Sequence, residues 1–359
     1  MTGDRVFIIA EAGVNHNGSL DMALQLVDAA AEAGADAVKF QTFKAASIAS
    51  ARAAKAGYQL QTTDAAESQL DMLKKLELAP EDHQKLFDRC RERGLEFMST
   101  PFDLDSVDVL LELGVSRLKI PSGEITNGPL LLKTAASGLP LIVSTGMATL
   151  GEVESCLGAL AFGMLGGDEA PGVEAFARAF ASENGFRLLR RRVALLHCTT
   201  EYPAPLSEVN LRAMDAMREA IGLRVGYSDH TEGIVVPAAA AARGAEIIEK
   251  HFTLDRDLPG PDHKASLVPA ELSDMVRAIR AVELALGDGR KSPRAGEAAN
   301  REVVRKSLVA SRPIAKDEPF TEGNLAVKRP GTGVSPLFWW DWLGKTARRD
   351  YAKDEVIEP

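Results

Sequence analysis

LRVGYSDH (223–230) and AEIIEKHFT (245–253) are apolar stretches about one βα unit apart, and each runs into a histidine. LRVGYS before His230 and AEIIEK before His251 both read as β-strands. Parallel strands joined by a helix point the same way, so their C-terminal ends share one face of the sheet. Two imidazoles on neighbouring strand ends can therefore reach one ion. The plainer reading is a pair of satisfied core histidines. The matched strand-end positions favour a metal site, and imidazole with carboxylate or water suits several divalent ions.

Working outward, six further apolar segments end in polar or charged residues: FIIAEAG (7–13), DAVKFQTF (36–43), EFMSTPFD (96–103), RLKIPSGE (117–124), PLIVSTGM (140–147) and VALLHCTTEYP (193–203). Helical periodicity fills the gaps, clearest in 20–34, 80–94 and 267–287. Pro80 followed by Glu81 and Asp82 suits a helix first turn, and Thr149 with Glu152 makes a capping box. Eight strand–helix repeats predict an α/β fold, a (β/α)8 TIM barrel with its active site at the strand C-termini. An open doubly wound sheet is the alternative, but its usual Gly-rich first turn is missing.

The chain of 359 residues exceeds one ordinary barrel. The barrel is expected to span 1–286, with a polar, turn-rich linker over 287–304 and a compact domain of short strands over 305–359. Trp339, Trp340 and Trp342 are expected to pack that small domain. Apolar content of 45% is ample for a core, no stretch is long enough to span a membrane, and VFIIA followed by Glu11 is not a signal peptide. Three scattered cysteines, Cys90, Cys156 and Cys198, read as reduced thiols in a cytoplasmic protein. A net charge of −9 argues against nucleic acid as a partner. Residues 45–79 form a long βα connection, a candidate substrate lid over the catalytic face. Residues 166–191 form a second insertion, with one extra helix expected before RLLRRR, on the face away from the chemistry.

The strand ends present Glu11, Lys39, Gln41, Thr100, Lys119, Ser122, Glu124, Ser144, Gly146, Thr199, Thr200, Tyr202, Ser228, Asp229, His230 and His251. Lys39 and Lys119 sit inside apolar strands, where lysine is rare unless paired. One reading is a structural salt bridge with Glu11 or Glu124. Another is an anion site, with the hydroxyls of Thr100, Ser122, Ser144 and Ser228 around it. A lysine Schiff base is a third. Glu11 and Glu124 could complete a metal shell or move protons. His197 reads as an interior polar group and Cys198 as packing. His83 reads as a surface helix residue. His16 belongs to a turn or helps shape the site. Asp262, in a βα loop, could hydrogen-bond a sugar or cap a turn.

Together, and in this order, IAEAGVNHNGS, VKFQTF, STPFD, KIPSGE, STGM, LHCTTEYPAP, YSDHT, EKHFTLD and GPDH make the chain resemble the sialic acid (N-acetylneuraminate) synthase family, which includes legionaminic and pseudaminic acid synthases. KRPGTG and the later LGK resemble that family's C-terminal antifreeze-like domain, of β-clip type. The resemblance covers nearly the whole chain. It implies condensation of phosphoenolpyruvate with an N-acetylmannosamine-type sugar, or with a 2,4-diacetamido-2,4,6-trideoxymannose, to give a nine-carbon keto acid and phosphate. It further implies a divalent ion, manganese or magnesium, on His230 and His251. Lys39, Thr100, Lys119, Ser122, Ser144 and Ser228 match the phosphoenolpyruvate pocket, with Gly146 beside them. Glu124 matches the acid/base residue. Glu11, Gln41, Tyr202 and Asp262 match sugar or metal-water contacts. Arg329 matches an arginine delivered by the antifreeze-like domain of the other subunit in a domain-swapped homodimer. Threonines at 199 and 200 depart from relatives that carry an asparagine at one of them, which leaves the sugar open. TTEYP and ESQLDMLKKLEL resemble legionaminic acid synthases. A phosphoenolpyruvate-dependent aldose-phosphate synthase and a non-catalytic sugar-binding protein are the competing classes.

Overall fold

The computed structural model describes residues 5–50, 53–55, 57–64 and 66–359. The chain divides into two compact units, Met1–Gly287 and Asp288–Pro359.

Eight parallel strands build the first unit: β1 Phe7–Gly13, β2 Ala37–Thr42, β3 Glu96–Pro101, β4 Leu118–Ile120, β5 Leu141–Ser144, β6 Val193–His197, β7 Arg224–Asp229 and β8 Ile247–His251. Their order is β3-β2-β1-β8-β7-β6-β5-β4, and β3 also lies against β4, so the sheet curls round on itself. At least one helix follows each strand. This is the expected TIM-type barrel.

Side-chain alternation explains its layers. One set of strand residues packs inside: Ile9, Ala37, Met98, Ile142, Ala194, Leu196 and Ile247 form a buried apolar floor. The alternate set, including Ile8, Val38, Phe97, Val143, Leu195, Val225 and Ile248, faces the helices. Two residues beyond Ile9, Ala37, Met98, Ile142 and Ile247 the inward positions turn polar, as Glu11, Lys39, Thr100, Ser144 and Glu249, and that is where the site begins. Thr149 and Glu152 form the expected capping box, opening the helix Leu150–Leu165.

The 166–191 insertion differs from expectation. It holds two helices, Val173–Ala181 and Glu183–Arg192, and RLLRRR lies inside the second. Ser182 is the reason for the break: its extended backbone ends the first helix, and its hydroxyl accepts from the Gly185 N–H to start the next. Both helices pack on Leu150–Leu165. The chain then enters the N-terminal end of β6, away from the strand C-termini.

In the second unit, β9 Ser307–Ala310 pairs antiparallel with β10 Leu325–Lys328. Leu308, Ala310, Ile314, Phe320, Leu325, Val334, Ala347, Tyr351 and Ile357 form its core. Trp339 and Trp342 pack against that core, whereas Trp340 is exposed. The stretch expected as linker carries a helix, Ala295–Val304. Among the described residues no helix is long and apolar enough to cross a membrane.

Candidate active site

The strand C-termini surround a cavity of about 340 Å³. Its floor is a buried charge network. The Lys39 ammonium pairs with Glu11 at 2.8 Å and donates to Thr100 Oγ1 at 2.9 Å. Lys119 donates to Glu249 Oε1 at 3.0 Å, and the Ser228 hydroxyl donates to the same oxygen at 2.9 Å. Glu249 Oε2 lies 3.7 Å from Lys39, so one carboxylate serves both lysines. Lys39 thus has the expected partner Glu11, whereas Lys119 pairs with Glu249 rather than with Glu11 or Glu124, and both lysines line the cavity.

Glu249 was missed from the sequence. The signal was present, because His251 points inward and its neighbour two residues back on the strand must do the same. Burial pushes the Glu249 carboxyl up, but Lys119 and Lys39 outweigh it and hold the group down at about 2. Burial dominates at Glu11, whose carboxyl rises to about 7 against the pull of Lys39. Lys39 moves up, since two carboxylates outweigh its burial; for Lys119 burial wins and its value falls. Of the two carboxyls, Glu249, held by both lysines, is the stronger acid and Glu11 the weaker.

Above the floor stand the two histidines, with ring centroids 5.5 Å apart. The Tyr202 ring lies against His230 at 4.1 Å and edge-on to His251 at 5.6 Å. Burial lowers His230 to about 4 and His251 well below its ordinary value, so both rings are neutral at pH 7. His230 Nδ1 contacts the Thr199 carbonyl at 2.6 Å. A carbonyl can only accept, so Nδ1 carries the proton and Nε2 keeps its lone pair. His251 Nδ1 is buried without a hydrogen-bond partner, 4.0 Å from Asp262 Oδ2. Glu11 is the register partner of His251 across β1 and β8. Burial raises the Asp262 carboxyl to about 6. Among the described residues no group of three or more His, Cys, Asp or Glu is arranged round a single point. Two neutral imidazoles with free lone pairs, and two carboxyls at the same mouth, nonetheless fit a divalent ion with water completing its shell.

One wall is built by close approach. The Gly146 N–H donates to Ser122 Oγ at 3.0 Å. A Cβ at Gly146 would meet Thr200 Oγ1 at 2.2 Å, Ser122 Oγ at 2.7 Å and Cys198 Sγ at 2.9 Å, so any larger residue would displace those side chains. Ser144 lines the same wall. Glu124 closes a short turn, Ser122–Glu124, and accepts from Asn127 Nδ2 at 2.6 Å. Gln41 and Asp262 complete the rim. The 45–79 connection reaches the cavity through Ile48, Gln59, Gln69, Met72, Leu73 and Leu76, as a lid would. Arg329 is exposed, in the second unit.

Three expectations need correction. Cys198, not His197, faces the site: Ala194 and Leu196 point inward, so Cys198 does too, 3.2 Å from Ser122 Oγ. His197 points outward and holds the Val209 carbonyl at 2.7 Å. His83 is buried, not a surface residue, because it shares a helix face with Leu86 and Cys90; its Nε2 meets Thr42 Oγ1 at 2.9 Å. His263 is also buried, between Thr253 Oγ1 at 2.7 Å and Asn17 Oδ1 at 3.1 Å.

Comparison with known proteins gives the family. The NeuB family model matches residues 26–291, and the SAF, or antifreeze-like, domain model matches 305–359. An N,N'-diacetyllegionaminic acid synthase of Campylobacter jejuni is 50% identical over 353 residues, 98% of this chain and 99% of that one. A Legionella pneumophila protein of the same name is 47% identical, over 92% of this chain and 87% of its own. Among solved structures, the spore coat polysaccharide biosynthesis protein SpsE of Bacillus subtilis has a TM-score of 0.62 at 35% identity, covering 98% of this chain and 94% of that one. The class is therefore that of transferases condensing phosphoenolpyruvate with an acetylated sugar. Within it, this chain belongs to the NeuB family.

Proposed function

We propose that the sugar is a 2,4-diacetamido-2,4,6-trideoxymannose and the product N,N'-diacetyllegionaminic acid. The mouth itself carries the chemistry, a two-lysine anion cradle beside two neutral imidazoles. The choice of sugar is supported by the two relatives at 50% and 47% identity. It is also supported by the apolar lid side of the cavity, where Phe43, Ile48, Met72, Leu73, Leu76 and Phe102 converge. A 6-deoxy sugar brings a methyl group where N-acetylmannosamine brings a hydroxyl, and an apolar wall suits the methyl.

Lys39 and Lys119, with Thr100, Ser122, Ser144 and Ser228, hold the phosphate and carboxylate of phosphoenolpyruvate; the close-packed Gly146 keeps that wall open. C3 of phosphoenolpyruvate attacks the open-chain aldehyde, water adds at C2, and the tetrahedral intermediate expels phosphate by C–O cleavage. His230 and His251 would hold a manganese or magnesium ion, with Glu11 and Asp262 ordering its water. When bound, the ion supplies Lewis-acid polarisation of the aldehyde. Glu124, fixed by Asn127, moves the proton of the attacking water. Gln41 and Tyr202 orient the sugar. Arg329 reaches the sugar from the SAF domain of a second copy, in a domain-swapped homodimer. The three buried cysteines, all free thiols, fit a reducing cytoplasm.

Initial rates with the diacetamido sugar and with N-acetylmannosamine, each with phosphoenolpyruvate and Mn2+, test the substrate. The diacetamido sugar is expected to give a kcat/KM at least about tenfold higher, as one methyl-for-hydroxyl exchange plus one acyl contact allows. Equal values, or a preference for N-acetylmannosamine, would overturn the assignment.

A further inference from the structure

Directly behind the two imidazoles, on the outer face of the barrel wall, lies a fully buried ion pair. Lys250 Nζ donates to Asp229 Oδ2 at 2.6 Å, and both side chains are 0% exposed. The two residues are register partners across β7 and β8. Each is the chain neighbour of a histidine: Asp229 precedes His230, and Lys250 precedes His251. Lys250 also donates to the backbone carbonyl of Thr231. Asp229 in turn accepts from the Thr231 N–H at 3.2 Å and from its hydroxyl at 3.0 Å. Both residues flanking His230 are thus tied to the one residue that precedes His251.

Around the pair this wall is mostly apolar, with Val225, Ile248 and Phe252; the Tyr227 hydroxyl faces Asp229, and Glu271 and Arg256 act on Lys250 from further off. A buried ion pair is a poor way to gain stability there, since well-packed apolar residues do as well or better. Such pairs are best attested where they fix a register. Here the register is the relative height of β7 and β8, and hence of the two inward imidazoles one residue further on.

We infer that Lys250, Asp229 and Thr231 form a positioning clamp that sets the spacing of His230 and His251 for one divalent ion. The inference rests on reading those histidines as metal ligands. Partners that orient metal ligands typically contribute ten- to a hundredfold in affinity.

The test is a titration of the metal-free, full-length enzyme with Mn2+, with free Mn2+ measured by electron paramagnetic resonance. Thermal unfolding and phosphoenolpyruvate binding without metal are measured beside it. The variant is D229N/K250M, which removes both charges together and leaves neither buried alone. It is expected to keep its fold and its phosphoenolpyruvate affinity within about twofold, and to bind Mn2+ at least about tenfold more weakly. T231V, which removes one tie and no charge, is expected to show a smaller loss and serves if the double variant does not fold. Native Mn2+ affinity in D229N/K250M, or in T231V where the double variant fails to fold, would overturn the clamp. H230A and H251A separate the two claims. If they bind Mn2+ like the native enzyme, the ligand assignment fails; if they lose it while the clamp variants do not, the clamp alone fails.

Discussion

At the residue scale, the site depends on contacts that leave no room. Gly146→Ala would place a methyl group 2.2 Å from Thr200 Oγ1 and 2.7 Å from Ser122 Oγ, and those side chains would have to move out of the wall. Such overpacking costs about 1–3 kcal/mol. We expect G146A to fold, with a melting point lowered by a few degrees, and to lose at least about tenfold in kcat/KM for phosphoenolpyruvate. Unchanged kinetics would mean that this wall does not touch the substrate. Alternation along a strand made most inward residues legible, since Lys39, Lys119, Ser228 and His251 all follow it. The same alternation turns Cys198 inward through Leu196, against its reading as packing, and turns Glu249 inward through His251. The network itself, with one carboxylate serving two lysines from different strands, is a tertiary fact that no single strand records.

At the element scale, the candidate lid is a set of short helices, Ala45–Ile48, Gly57–Thr62 and Gln69–Lys74. Its apolar side joins Val14, Phe43, Met72 and Leu76 in a small cluster separate from the barrel core. A satellite cluster of this kind opens locally at less cost than the core does. Met72→Ala should therefore loosen the lid rather than unfold the enzyme. We expect faster amide exchange over 69–74, a KM for the sugar raised severalfold and a KM for phosphoenolpyruvate changed by less than about twofold. Equal effects on both substrates would show that the lid does not discriminate between them. The position of the lid was legible from the length of the connection. The helix Ala295–Val304 was not, because RKSPRAGEAANRE offers turn formers first. The helix break at Ser182 was missed because its N-cap serine lies within a continuous helical pattern.

At the scale of the whole molecule, charge burial sets the response to pH. All six histidines are held below their ordinary value, chiefly by burial, with His16, His230 and His263 at about 4. Between pH 6.5 and 4 the unfolded chain binds protons that the folded chain refuses, so these groups remove stability as pH falls. Glu11 at about 7 and Asp262 at about 6 act in the opposite sense, losing stability as pH rises through those values. Six groups against two decide the sign. The urea midpoint of the metal-free protein should fall from pH 7 to pH 5, and a rise would contradict the burial assigned to the histidines. The two units, Met1–Gly287 and Asp288–Pro359, also bear on assembly. If Arg329 serves the barrel of a second copy, mixing R329A with E124Q under subunit exchange should give activity above both parents. Demonstrated exchange without recovery would place Arg329 in its own chain's site or outside catalysis.

The central claim is that the two-lysine cradle presents phosphoenolpyruvate for attack by C3, with water entering at C2 and phosphate leaving by C–O cleavage. Phosphoenolpyruvate labelled with 18O at the bridging oxygen tests this most directly. The enzyme, Mn2+ and the diacetamido sugar are incubated with it, and phosphate and keto acid are analysed by mass spectrometry. The account predicts the label in inorganic phosphate and an unlabelled nine-carbon keto acid. Label in the keto acid would mean P–O cleavage and contradict it.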